Sequence, residues 1–249
     1  MRWPDTLRGR VSIALLASGV LLLGAACQSQ PADPADPASE ELSVEELLSS
    51  VAAELDAMTT AQFGMIDELE SGAEFFGTTF KSMDAEVSSP DRVHMRVDVI
   101  APGLGFAQVE ILAVGEQSLI KFSRDAPWIP LPLDQVPFNF GAVGPSLAEI
   151  VRKMTGASIT GEESVLDMST IRVEGQVLSD DLSTLITSAD PGHAITLTLW
   201  VEEEGHILRQ LRIAGRLFND DAPETRRLLT IPGVNVPVDI ELPDAASGP

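Results

Sequence analysis

Between residues 92 and 99 the chain alternates strictly: Val93, Met95, Val97 and Val99 interleave with Arg92, His94, Arg96 and Asp98. A period of two places the four apolar side chains on one face of an extended strand and the four polar or charged ones on the other, whereas a turn of 3.6 residues would scatter both sets. Such a segment needs antiparallel partners, with one face on a core and the other in water. Turn signals at Ser71-Gly72, Ser88-Ser89-Pro90, Pro102-Gly103 and Gly115-Glu116 divide residues 59–123 into five segments, close enough for a meander of hairpins.

Helical spacing flanks this region. Ser43-Val-Glu-Glu46 is a capping box, and Val44, Leu47, Leu48, Val51, Leu55 and Met58 follow at i, i+3 and i+4 intervals. A proline-rich passage over residues 127–137 ends the first run of strands. Ser146-Leu-Ala-Glu149 then has the form of a second capping box, with Leu147, Ile150, Val151 and Met154 on one face. Further on, the pattern predicts strands over 158–166 and 171–178 and a third short helix around Leu182, Leu185 and Ile186. A hairpin over 194–218 turning at Glu204-Gly205 and a last strand over 236–242 complete it. This order is α+β, with helices gathered on one face of an antiparallel sheet.

Thirty-eight acidic side chains against 16 basic ones give a net charge of −22, yet 44% of the 249 residues are hydrophobic and mean hydropathy is +0.14. That is too apolar for a disordered acidic chain. It excludes nucleic acid as a natural partner and disfavours any charge-driven hold on anionic lipid, so membrane association must come from hydrocarbon.

The first 26 residues read as an export signal: Arg2, Arg8 and Arg10, an apolar run over 11–23, then Gly24, Ala25 and Ala26. Cys27 is the only cysteine, so an intramolecular disulfide is impossible. Leu23-Gly24-Ala25-Ala26-Cys27 resembles the bacterial lipobox, with Gly24 in place of the usual Leu, and the resemblance implies that the Cys27 thiol carries acyl chains such as palmitate. The mature protein is then expected outside the cytoplasm, anchored to the cell membrane. Residues 27–42 contain Pro31, Pro34 and Pro37 and read as an extended tether with a reach of roughly 45 Å at about 3.1 Å per residue. Residues 43–243 then form a single domain, and 244–249 a disordered tail.

Catalytic patterns fail on inspection. Gly144-Pro-Ser146-Leu-Ala148 has the outline of a nucleophile elbow, but no apolar strand leads into it and the capping box accounts for Ser146. His94, His193 and His206 stand at strand or turn positions without an accompanying motif. Asn219-Asp220-Asp221 lacks the glycine and distal glutamate of a calcium loop, and Gly103-Leu-Gly105 does not open a helix. No enzyme, metal or cofactor is expected.

Several segments also read as parts of a known whole. The helix after the tether, Pro127-Trp128-Ile129, Val173-Glu-Gly-Gln-Val177, Leu199-Trp200-Val201 with Leu208-Arg209-Gln210, and Val236-Pro-Val-Asp-Ile240 together resemble the LppX/LprAFG family of mycobacterial-type lipoproteins. The segment 138–145 departs from that pattern. The resemblance implies a strongly curved half-barrel sheet with helices packed on its concave face, and a monomer that carries lipids or acylated glycolipids in an apolar cavity between the two layers. An envelope transporter is a candidate handover partner.

Residue pairs that are apolar on both faces of a strand, Phe75 with Phe76, Ile111 with Leu112 and Ile207 with Leu208, fit a second apolar neighbour for the sheet, either helices or a ligand. The expected cavity residues on the sheet are Phe76, Phe80, Met95, Val97, Val99, Ile111, Leu119, Leu197 and Leu199. On the helices they are Leu147, Val151, Met154, Leu185 and Ile186. Arg92, Arg96 and Lys121 are candidates for headgroup contacts. The alternative is a tethered structural or interaction module in which the same residues form a solid core; an esterase built on Ser146 is a third reading.

Overall fold

Two meanders meet at the first strand of the chain. The computed structural model describes residues 42–75, 77–132, 135–136 and 139–243; the expected signal, most of the tether, Phe76 and the 244–249 tail lie outside them. The first helix, α1, is Val44–Asp56, and the strands that follow are β1 Thr60–Asp67, β2 Glu74–Phe75, β3 Thr78–Ser88, β4 Arg92–Ala101, β5 Gly105–Val114, β6 Gln117–Lys121 and β7 Ile129–Pro130. Helix α2, Val143–Arg152, precedes β8 Thr155–Val165, β9 Met168–Leu178, β10 Ala194–Glu202, β11 Leu208–Ala214 and β12 Arg226–Val234. All pair antiparallel in one open, curved sheet in the order β7-β6-β5-β4-β3-β1-β12-β11-β10-β9-β8, with β2 beside β3. β1 thus sits at the centre, where it joins the meander β3–β7 to the meander β8–β12.

The capping box at α1 is formed: the Glu46 amide donates to Ser43 Oγ at 3.2 Å, and the Ser43 amide donates to Glu46 Oε2 at 3.2 Å. The face carrying Leu47, Val51, Ala52 and Leu55 is buried. In the strands the period-two reading holds. Val93, Met95, Val97 and Val99 are at most 3% exposed and join one buried cluster with Ile195, Leu197, Leu199 and Val201 of β10 and with Leu147, Ile150 and Val151 of α2. Burial of each such side chain contributes about 1.5–3 kcal/mol, and the helices share in it because both turn their apolar stripe to the same side of the sheet.

Three expectations need correction. Helix α2 starts at Val143, so Ser146 lies inside its first turn and makes no capping box; its hydroxyl donates instead to the Thr184 carbonyl at 3.0 Å. The expected third helix is only a 3-10 turn, Ser179–Leu182, closed by Asp181 Oδ2 accepting from the Leu178 amide. Residues 236–242 form no strand; the last strand among the described residues is β12, further upstream. Adjacent Leu228 and Leu229 blur its alternation, and Pro232-Gly233 reads as a stop although both residues lie within the pairing region.

Gly144 is required by close packing. A Cβ there would stand 2.3 Å from the Leu55 carbonyl and 3.2 Å from Met58 Cβ, so α2 crosses the end of α1 with backbone against backbone. Arg152 and Asp56 pair across the same two helices.

Candidate functional site

On the inward side of the central strands the packing is incomplete. Phe63 and Met65 of β1, Met83, Ala85 and Val87 of β3, and Val93 and Met95 of β4 form its floor, with Leu211, Ile213 and Leu229 beside them. Phe140, Val143 and Leu147 around the start of α2, with Leu185 and Ile186, cover it. The space between them is about 80 Å³, and every residue lining it is apolar. Register explains why it lies there: Phe63 pairs with Ala85, and Ala85 with Met95, so a methyl group stands between two long side chains.

The two cover segments are tied to each other. The Asn139 amide donates to the Leu185 carbonyl at 3.2 Å, and Ser146 Oγ and Asn139 Nδ2 both donate to the Thr184 carbonyl, at 3.0 and 3.3 Å. A Cβ on Gly141 would stand 2.7 Å from the Pro90 carbonyl, which brings this edge of the cover against the β3–β4 turn.

Of the residues expected to line a cavity, Met95, Leu147, Leu185 and Ile186 come together here. Phe80, Val97, Val99, Ile111, Val151, Leu197 and Leu199 belong to the same buried cluster but away from the open space, and Met154 packs against that cluster half-buried. Leu119 is on the other side of the sheet, because it pairs with Leu112 whereas Ile111 pairs with Ile120. Phe76 lies outside the described residues. Sequence reasoning missed Phe63, Met65, Met83 and Ala85. The signal was present as alternation in β3, where Asp84 separates Met83 from Ala85, and more weakly in β1, where Gly64 gives the outward face no polar side chain between Phe63 and Met65. It also missed Phe140 and Val143, which fall in the stretch that departs from the family pattern.

The outer side of the sheet is polar. Glu110, its side chain 9% exposed, faces Lys121 Nζ at 3.1 Å, His94 Nε2 at 3.5 Å and Arg96 Nε at 3.6 Å. Burial alone would push the Glu110 carboxyl up, but hydrogen bonds with Lys121 and His94 and the charges of Lys121 and Arg96 outweigh it and hold the group below its usual range. Arg92 donates to the Ile240 carbonyl at 3.0 Å. The three cations considered for headgroup contact therefore lie on the outer face, and none lines the apolar space. A larger cleft of about 530 Å³ opens there around Gly64, and unlike the inward space its lining is mixed, with Glu86, His94 and Arg96 beside Leu166 and Pro232.

Two of the three histidines have polar partners: His94 has Glu110, and His193 Nε2 is 3.1 Å from Asn219 Oδ1. Among the described residues there is no group of His, Cys, Asp or Glu side chains that could hold a metal ion, and no helix long and apolar enough to cross a membrane.

An open antiparallel sheet with helices on its apolar side defines a class represented among solved structures. LprF from Mycobacterium bovis aligns with a TM-score of 0.63 at 15% identity, over 80% of this chain and 96% of that one. The lipoprotein LppX from Mycobacterium tuberculosis aligns with a TM-score of 0.51 at 18% identity, over 80% of this chain and all of that one. The profile of the LppX_LprAFG lipoprotein family matches residues 76–222, and the chain belongs to that family. The lipoarabinomannan carrier protein LprG of Mycobacterium leprae is 31% identical over 68 residues, which span 27% of this chain and 29% of that relative.

Proposed function

We propose that this protein is a lipid-anchored, extracytoplasmic, non-catalytic carrier that takes the acyl chains of a lipid or acylated glycolipid between its sheet and its helical cover, and moves them within the cell envelope. The observation that carries this reading is the wholly apolar space beneath a cover of two short, mutually bonded segments. Membership of a lipoprotein family that includes a named glycolipid carrier supports it. The helices are proposed to pack into the concave side of the curved sheet, and Cys27 to hold the acyl anchor.

Size sets a condition on loading. Ligand pockets are typically about 300–1,000 Å³, and the space of about 80 Å³ admits no acyl tail as it stands. Uptake therefore requires the cover formed by the start of α2 and residues 184–186 to lift from the sheet. The gain is large: some thirty methylenes at about 0.8 kcal/mol each amount to more than 20 kcal/mol relative to water. A carrier has to match a membrane rather than water, so the net difference that drives exchange is far smaller. Methionines 65, 83 and 95 suit such a site, since the unbranched thioether adapts to chains of variable shape.

The small volume also favours the alternative, a tethered structural or interaction module with a filled core. Mass spectrometry of the protein extracted from membranes, together with uptake of a fluorescent fatty acid, separates the two. Co-purifying lipid and saturable uptake are expected. Absence of both would overturn the carrier reading in favour of the module.

A further inference from the structure

Among the described residues the two most exposed large apolar side chains, Leu104 at 84% and Phe106 at 65%, stand together at the β4–β5 turn, and Phe106 forms a cross-strand pair with Ile100, itself partly open to solvent. The turn is well made: Pro102 and Gly103 occupy its centre, Gly103 has φ +75°, and the Leu104 amide donates to the Ala101 carbonyl at 3.1 Å. Residues 100–107 read Ile-Ala-Pro-Gly-Leu-Gly-Phe-Ala, eight positions with no ionisable group.

Polarity returns sharply at the next outward-facing pair. Gln108 Nε2 donates to Asp98 Oδ1 at 2.8 Å, and Ser82 Oγ donates to Asp98 Oδ2 at 3.1 Å. From that pair to the turn is three to four residues, about 10–13 Å at ~3.3 Å per residue. That length is comparable to the depth, about 5–10 Å, at which apolar side chains sit in a bilayer interface. Along the Ile100 row, Glu74 stands two strands away, and its carboxylate accepts from the Gly77 amide.

We infer that the β4–β5 hairpin tip is a membrane-docking wedge, with Leu104 and Phe106 inserted in the bilayer surface and the Asp98–Gln108 pair left at headgroup level. Three observations select a lipid surface over a protein partner. Two large side chains on a projecting turn offer far less than the roughly 800 Å² per side of a stable protein interface. The tip is uncharged in a chain of net charge −22, so it can enter zwitterionic lipid without electrostatic attraction. From the tip, Val99, Val97 and Met95 run along the inward side of β4 to the apolar space, so a docked tip brings one end of that apolar row to the bilayer surface. This inference concerns docking and stands apart from cargo binding.

The test uses the full chain reconstituted in vesicles of phosphatidylcholine, with bimane on Leu104→Cys and, as a water-facing reference, on Glu203→Cys in the β10–β11 turn. The Leu104 label should shift to the blue and lose at least half its emission to brominated phosphatidylcholine, while the Glu203 label should change little. Adding Phe106→Asp should return the Leu104 label to water. Equal quenching at both positions, or a Leu104 label that stays in water, would overturn docking. A blue shift without vesicles would also overturn it, because a second copy of the chain would then be covering the tip. Fatty-acid uptake plays no part in this readout, so failure here leaves the carrier reading to its own experiment.

Discussion

Arg227 and Asp221 lie fork to fork: Nη2 is 2.7 Å from Oδ1 and Nη1 is 2.9 Å from Oδ2, with side chains 5% and 0% exposed. The pair knots three pieces of chain. Asp221 also accepts from the amides of Glu74, Leu217 and Phe218, and Arg227 also donates to the Glu74 carbonyl and stacks 5.5 Å over the Phe218 ring. Asp221 belongs to the Asn219-Asp220-Asp221 turn, and its carboxylate is engaged by the Arg227 guanidinium. Removing one partner of a buried pair leaves an uncompensated charge, at about 3–5 kcal/mol. Asp221→Ala and Arg227→Ala should each lower unfolding free energy in urea by that order. The double variant should cost much less than their sum; full additivity would mean that the two groups do not act as a pair.

Acid should unfold the protein through three carboxylates. Burial would raise the pKa of each, but Asp221 is held down by Arg227 and backbone amides, Asp67 by amides of residues 71–73 and the Ser71 hydroxyl, and Glu110 by Lys121, His94 and Arg96. A folded-state pKa below the unfolded value, about 4 for Asp and Glu, gives stability that is complete above that value and lost as pH falls through the folded one. Tm should therefore fall progressively below about pH 4. A flat profile from pH 5 to 2 would contradict these assignments.

Gly144→Ala should loosen the two helices. Its Cβ would meet the Leu55 carbonyl, a backbone atom that cannot swing aside, and the expected loss is about 1–3 kcal/mol. Thermal unfolding monitored by circular dichroism measures it, and an unchanged Tm would show that α2 can shift at no cost.

Ala85→Leu adds three carbons where the floor is lowest, between Phe63 and Met95. Filling an existing space of about 80 Å³ should leave stability within about 1.5 kcal/mol, while uptake of a fluorescent fatty acid falls several-fold. Normal uptake in a folded variant would place the acyl site elsewhere.

How much of this was legible in the chain follows from the range of each interaction. The strands β3 to β6, the cap on α1 and the inward facing of Val93 to Val99 follow from neighbours within a few residues, and all were readable. Leu119 was not, because Leu119 and Ile120 are both apolar and only the register against β5 decides which one faces inward. Ser146 fitted a capping box by spacing, but its hydroxyl goes to Thr184, 38 residues away.

The amino-acid order alone settled local geometry: where the chain extends, where it coils, and which side of each well-patterned strand avoids water. Tertiary structure decided that β1 lies between two meanders, that a methyl group falls between Phe63 and Met95, and that the chemically suggestive Asp221, Glu110 and Ser146 are already engaged. The division has a physical cause. Backbone conformation and amphipathic facing depend on residues close in sequence, whereas empty space and paired charges depend on which distant side chains the register brings opposite each other.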